Sequence, residues 1–310
     1  METKKGAGQK EMSEKGKIGF IGLGAMGQPM SRRLQEAGFR LVGYDVRPEA
    51  VRAVVQRGGE AASSPKEVAE KCRKVITIVP NSEAVDQVVF GPRGLLEGFQ
   101  TGDLLIEMTS AYPPSTLKVN QALAAKDVSM IDAPVSGGVV GAEAGTLSIM
   151  VGGDESIFET CRPILSAVGK NLFFMGGIGS GHAVKAINNF LSATSLAATS
   201  EAIILAEKLG LSIQRVVEVL QVSTGRSYST ELKIPKFVLP RTFNSGFAMD
   251  LMYKDIDTVT RMAKEYKIPM LVANMVQQIY GFAMAQGGGK TDHTTIFRYL
   301  EGLAKGKGES

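Results

Sequence analysis

The chain has 310 residues, 44% of them hydrophobic and 21% charged, a composition that suits a folded protein of two domains with a large core. Net charge is +4, and because residues 1–16 hold four lysines against three glutamates, the rest carries a weak and dispersed basic excess. With no basic stripe and no tryptophan, this argues against a nucleic-acid partner. Cys72 and Cys161 lie far apart without metal-ligand companions, so no metal site is expected and reduced thiols in a cytoplasmic compartment are.

The opening segment METKKGAGQKEMSEKG is polar and mixed in charge, unlike a secretory signal or a transit peptide, and residues 1–16 are expected to form a disordered tail. Apolar runs such as VITIV are far too short to span a bilayer, so no membrane association is expected. From Lys17 onward, short β-rich runs (KIGFIG, RLVGYD, KVITIV, DLLIEM, VSMIDAP, LSIMVGG, NLFFMG) alternate with segments of helical period. That alternation predicts an α/β fold with a doubly wound parallel sheet. Ser64 and Asp154, each with a glutamate in the following turn, read as helix N-caps.

The first strand runs into Gly22-Leu23-Gly24-Ala25-Met26-Gly27, a GxGxxG spacing that leads directly into a helix. Gly22 permits the tight turn, Gly24 lets the backbone approach a pyrophosphate, and Gly27 lets strand and helix pack closely. The helix N-terminus supplies positive potential. Asp45, at the end of the next strand, is placed to accept from the hydroxyls of an adenosine ribose, which favours NAD, while Arg47 beside it keeps NADP possible. A Rossmann dinucleotide-binding domain over residues 17–178 is therefore expected. Further on, DAPVSGG presents Ser136 with the amides of Gly137 and Gly138, either a cup of donors for a carboxylate or simply a sharp strand-to-loop turn.

After Gly181 no convincing strand follows. Residues 182–210 have the pattern of a single helix, and the expected boundaries are a connecting helix over 179–209, an all-α domain over 210–303 and a tail over 304–310. Within GGIGSGHAVKAINNF, Lys185 and Asn189 are four apart and share one helix face. Either Lys185 snorkels to solvent, or burial lowers its pKa into the range of proton transfer. His182 and His293 have no second ligand at metal spacing and read as non-catalytic. The methionines fall mostly at helical spacing and read as packing. Polar Ser223, Arg226 and Ser227 suggest a specificity region for an anionic or hydroxylated substrate.

Taken together, GFIGLGAMGQPM, DAPVSGG and the ordered set Gly176, Gly179, Gly181, Lys185 and Asn189 resemble the signatures of the β-hydroxyacid dehydrogenase family, over nearly all of Lys17 to Leu303. The resemblance implies reversible NAD(P)-dependent hydride transfer between a small anionic 3-hydroxy acid and its semialdehyde, with Lys185 as general acid/base. It also implies that Asn189 positions the substrate and that Ser136, Gly137 and Gly138 hold its carboxylate. By the same resemblance Lys254 faces the nicotinamide end of the cleft with Phe247 and Asp255 nearby, and Val79 and Pro80 wall the adenine and ribose side. Glu107, Thr109 and Ser110 stand where the family usually has Asp, Ser and Thr, which keeps hydroxyls near the nicotinamide ribose, Thr109 among them. The apolar face of MLVANMVQQIYGFAMA implies a homodimer or homotetramer. Two rival functions remain: a decarboxylating dehydrogenase of the 6-phosphogluconate type, and a catalytically silent dinucleotide-binding module.

Overall fold

The computed structural model describes residues 15–305, so most of the two expected tails lies outside the described residues. Among the described residues nine strands build one sheet: β1 Lys15–Ile21, β2 Phe39–Tyr44, β3 Glu60–Ala61, β4 Lys74–Thr77, β5 Leu104–Glu107, β6 Ser129–Asp132, β7 Val135–Ser136, β8 Leu147–Gly152 and β9 Gly169–Gly176. The first strand thus begins inside the segment expected as tail, and the last helix, Ile296–Lys305, likewise runs past residue 303. Strand order is β3-β2-β1-β4-β5-β6-β8-β7, with β9 on the other side of β8.

Strands β1 to β6 pair in parallel, as the alternation with helices requires. The expected doubly wound parallel sheet is thus present, with one reversal beyond these strands. β8 runs antiparallel to β6 and β7, because the chain after Ser136 turns back through Gly137 and the short helix Gly138–Ala144, a connection of ten residues that does not carry it across the sheet. A crossover through helix Glu155–Leu165 then restores parallel pairing between β8 and β9. Ser64 accepts from the amide of Glu67, and Asp154 from those of Ser156 and Ile157, so both cap their helices.

Alternate residues of the central strands feed two cores. Ile76, Leu104, Ile106 and Ile131 pack on one face of the sheet, and Val75, Leu105 and Met130 on the other. Burial on both faces explains why these strands read as continuous apolar runs.

One helix, Ser180–Lys208, then spans 29 residues, about 40 Å at about 1.5 Å per residue. Its buried positions Lys185, Asn189, Ala193, Leu196, Ser200 and Ile203 follow helical spacing, and the later ones enter a separate helical core with Ile234, Met252, Ile256, Val276 and Tyr280. Around it pack helices Ile213–Val222, Met249–Glu265, Leu271–Ala285 and Ile296–Lys305, together with a π-helical segment Ser229–Val238. That segment contains Pro235, and the amide of Leu239 reaches five residues back to the carbonyl of Ile234 at 2.9 Å. Proline offers no amide and crowds the preceding turn, and the wider coil accommodates it.

Candidate active site

The loop between β1 and helix Gly27–Glu36 separates the duties of its three glycines. A Cβ on Gly22, where φ is +94°, would lie 2.0 Å from the Ile78 carbonyl, and one on Gly27 would lie 1.9 Å from the Gly22 carbonyl. Fold geometry alone requires both glycines. Gly24 is different, since a Cβ there would meet only Arg47, at 3.9 Å. Its openness leaves backbone amides accessible beside a helix start with no side-chain cap and no acidic residue in its first turn. Those features fit a pyrophosphate.

Asp45 stands beside this loop, its Oδ2 accepting from the amide of Leu23 at 2.7 Å and its Oδ1 from the amide of Arg47 at 2.9 Å. The Arg47 guanidinium folds back onto the same oxygen at 3.2 Å. Burial would raise the Asp45 pKa, but these hydrogen bonds and the guanidinium charge outweigh it and hold the carboxyl below its ordinary value. A fixed carboxylate therefore occupies the position expected to read the adenosine ribose. Across the mouth, the amide of Val79 donates to the hydroxyl of Thr109 at 3.1 Å, which ties the Val79-Pro80 loop to the end of β5. Thr109 is buried, whereas Ser110 is half-buried.

Asp132, the first residue of DAPVSGG, joins the second motif to the third. Its Oδ1 accepts from the amide of Gly179 at 2.6 Å and its Oδ2 from the amide of His182 at 2.8 Å, so this carboxylate caps the long helix. Gly181 allows the close approach: a Cβ there would sit 2.3 Å from the Met150 carbonyl. Ser136, Gly137 and Gly138 follow on the same loop. Gly137 and Gly138 have φ of +128° and +62° and both are exposed. Nothing lies within 4 Å of a Cβ built on Gly138, so an open, amide-bearing corner remains.

One turn into the helix, Lys185 is 8% exposed, and its ammonium has no hydrogen-bond or ion-pair partner among the described residues. Burial lowers its pKa to about 8, with Lys254 pushing the same way and Asp255 opposing. Asn189 donates from Nδ2 to Asp255 at 2.5 Å and accepts from Asn188 at 3.1 Å, which fixes the amide and leaves its second N–H unused. Lys254 reaches across from the helical half to donate to the carbonyl of Ser110 and lies 3.0 Å from Asp255. Phe247 enters at the margin, its ring edge-on to His293 at 5.6 Å. Lys254, through the carbonyl of Ser110, and Asp132, through the amides of Gly179 and His182, thus tie the two halves of the chain together beside Lys185 and Asn189.

Other features escaped the sequence. Beneath the site lies a buried chain in which Glu107 accepts from the amide of Thr109 at 2.8 Å and faces His182 Nε2 at 3.0 Å, while His182 Nδ1 meets Thr116 at 2.7 Å. Burial alone would lower the His182 pKa, but Glu107 and Asp132 outweigh it and raise it. His182 is therefore part of the scaffold under the Thr109 loop, and Glu107, longer than the usual Asp, is what reaches it. Arg226 turns to Glu231 at the surface, and Ser227 bonds Ser195 at 2.8 Å, so these two are engaged within the helical half, while Ser223 is exposed. A second buried lysine, Lys233, donates to Ser192 instead, at 2.7 Å. Its signal was available, a lysine within an apolar helical stripe, as at Lys185.

Comparison with known proteins agrees with this geometry. Residues 17–177 match the family described as the NAD binding domain of 6-phosphogluconate dehydrogenase, and residues 179–300 match the one described as NAD-binding of NADP-dependent 3-hydroxyisobutyrate dehydrogenase. The chain belongs to the β-hydroxyacid dehydrogenase family. It is 40% identical to 2-(hydroxymethyl)glutarate dehydrogenase of Eubacterium barkeri, over 92% of this chain and 95% of that one. It is 36% identical to 3-sulfolactaldehyde reductase of Escherichia coli K12, over 91% and 95%. Among solved structures, Mycobacterium tuberculosis 3-hydroxyisobutyrate dehydrogenase with L-serine superposes with a TM-score of 0.84 at 31% identity, over 92% of this chain and 98% of that one. Members of this β-hydroxyacid dehydrogenase family are NAD(P)-dependent oxidoreductases, and so is this protein. The match of its helical half to the 3-hydroxyisobutyrate type favours that branch over a 6-phosphogluconate enzyme.

Proposed function

We propose that the protein interconverts a small anionic 3-hydroxy acid and its semialdehyde, with Lys185 as proton donor and acceptor. The observation that carries this reading is the buried, unpartnered Lys185 ammonium, its pKa brought to about 8, one turn from an asparagine fixed by Asp255. A nicotinamide, when bound, supplies or takes the hydride. The chain's own residues do the rest. Gly22 to Gly27, with Leu23, Ala25 and Met26, hold the pyrophosphate, and Val79, Pro80, Thr109, Phe247 and Lys254 border the remainder of the dinucleotide. Ser136 and the amides of Gly137 and Gly138 receive the substrate carboxylate, and the free N–H of Asn189 orients the reacting oxygen. Reduction needs Lys185 as ammonium to protonate the forming alkoxide, and oxidation needs it as amine to accept the hydroxyl proton.

By their names, relatives act on 2-(hydroxymethyl)glutarate, 3-hydroxyisobutyrate and 3-sulfolactaldehyde. Each combines an alcohol or aldehyde carbon with a nearby anion, the class proposed here. NAD is the preferred cofactor in this reading, because Asp45 would repel a 2′-phosphate more strongly than exposed Arg47 would attract it. Initial rates with 3-hydroxyisobutyrate and 2-(hydroxymethyl)glutarate, and with the matching semialdehydes, test the assignment with both cofactors. Reduction should fall and oxidation should rise as pH passes about 8, the Lys185 value. Parallel pH profiles in the two directions, or a higher kcat/KM with NADP, would remove the Lys185 and Asp45 assignments respectively.

Retention of Lys185 and Asn189 speaks against a silent binding module. We also propose a cytoplasmic homodimer or homotetramer, with its functional divisions at the two ends of the long helix. Cys72 and Cys161 are free and buried, their thiols pushed up by burial to about 12 and about 11, as suits an unreactive pair in a reducing compartment. No helix among the described residues is long and apolar enough to cross a membrane. Leu271, Val272 and Met275 stand 78%, 56% and 64% exposed along one helix, an apolar face suited to a second copy. Light scattering should give a mass of at least two chains, and a monomer mass at micromolar concentration would refute it.

A further inference from the structure

Lys233 lies on the π-helical segment Ser229–Val238 and is only 5% exposed. Its single hydrogen-bond partner is the neutral hydroxyl of Ser192, at 2.7 Å. Among the described residues no carboxylate comes within ion-pairing distance. Asp292, whose charge reaches it, is already engaged by the hydroxyl of Ser245 at 2.9 Å, the amide of Gly246 at 2.8 Å and the hydroxyl of Thr294 at 2.5 Å. The nearest aromatic ring, Tyr228, is 5.9 Å away. An ammonium so buried, with two N–H groups unused, is costly to the fold unless an anion joins it.

Its position supplies the reason for keeping it. Ser192 follows Asn189 by three residues and Lys185 by seven, so all three lie on one face of the long helix. The rise from Lys185 to Ser192 is about 10 Å. Because the Lys233 ammonium bonds the hydroxyl of Ser192, the second cation is mounted on the same helix face as Lys185, two turns farther along. Of the other cations of this stretch, Arg226 is committed to Glu231 at the surface and Lys236 is exposed.

We infer that Lys233 receives a second carboxylate on the substrate, at the opposite end from the one held by Ser136 to Gly138, so that the protein selects hydroxy diacids over monoacids. This deepens the 3-hydroxy acid reading and rests on it. The reacting carbon then sits beside Lys185, with one anion on the Rossmann side and the other on a short methylene branch directed along the helix. Both unused N–H groups of Lys233 gain acceptors when the diacid binds.

The test compares kcat/KM for 2-(hydroxymethyl)glutarate with that for its terminal amide, a monoanion of nearly the same size that keeps the carboxylate for Ser136 to Gly138 and lacks only the second charge. Wild type should favour the diacid by about 100-fold, the scale of a buried charge pair. Lys233→Met should reduce that ratio to near one, and Lys233→Arg should keep most of it. Dinucleotide affinity and melting temperature confirm that each variant is folded. Where the methionine variant does not fold, the wild-type ratio and Lys233→Gln carry the test. A wild type that uses acid and amide equally, or a methionine variant that keeps the ratio, overturns the inference. Turnover of 3-hydroxyisobutyrate with no preference for the diacid overturns only the inference. A wild type that oxidises no 3-hydroxy acid overturns the functional reading as well.

Discussion

In the Rossmann half, the loop from Gly22 to Gly27 offers negative charge backbone amides at a helix start; in the helical half, Lys185 and Lys233 would offer it ammonium groups sunk into helices. The amides are dipoles fixed by chain geometry, and leaving them accessible costs the fold little. The ammonium groups must lose water, and both have pKa values lowered by burial to about 8. Recognition by amides is therefore compatible with stability, whereas recognition and proton transfer by buried lysines work against it.

The largest effect should come from breaking the costly end. Lys185→Ala should lower kcat by about 100-fold or more, the usual scale for losing general acid/base catalysis, with dinucleotide affinity nearly intact. Lys185→Arg should not restore it, since guanidinium keeps its proton at neutral pH. Stopped-flow or steady-state kcat decides this, and an arginine variant near wild-type rate would reduce Lys185 to a fixed charge.

Next in size is a gain. Lys233 has a folded pKa of about 8 against an ordinary 10.5, so the unfolded chain holds that proton more tightly. The charge penalises the folded state fully below pH 8, and the penalty fades as pH rises toward 10.5. Lys233→Met should thus stabilise the protein near pH 7, by about 2 to 3 kcal/mol less whatever the Ser192 bond contributes. Calorimetric unfolding against pH should show the advantage shrinking above pH 8. A variant less stable than wild type at pH 7 would mean that packing around the lysine outweighs its desolvation.

The smallest effect belongs to the amide end. Gly24→Ala adds a methyl that meets only Arg47, at 3.9 Å, so the melting temperature should hold. Dinucleotide affinity should weaken about tenfold, ~1.4 kcal/mol, by titration calorimetry. Unchanged affinity would show that the pyrophosphate does not approach this residue.

The same contrast explains what could be read from the sequence. Glycines at fixed spacing after a strand have one economical explanation, and the long helix announces itself through buried positions three and four apart. Direction of strand pairing is not written in periodicity: LSIMVGG looks the same parallel or antiparallel, so the reversal of β8 came only from the structure. His182 and Glu107 lie 75 positions apart in the chain, and no local pattern reveals that they face each other. Arg226 drew attention as a polar residue near the expected cleft, yet its partner Glu231 takes it to the surface. Lys233 carried the same anomaly as Lys185, but without a glycine motif to point at it.

Asp132 holds the amides of both Gly179 and His182, which anchors the first turn of the long helix, and with it Lys185, to the C-terminal end of β6 inside the sheet. Lys233 and Ser192 are mounted farther along, where the helix has joined a different core. The proposed proton donor is consequently bolted to the half that carries the nucleotide loop, and the proposed side-chain anchor to the helical half, so a shift of one core against the other would change the distance between the two cations while leaving Lys185 aligned with the nucleotide loop.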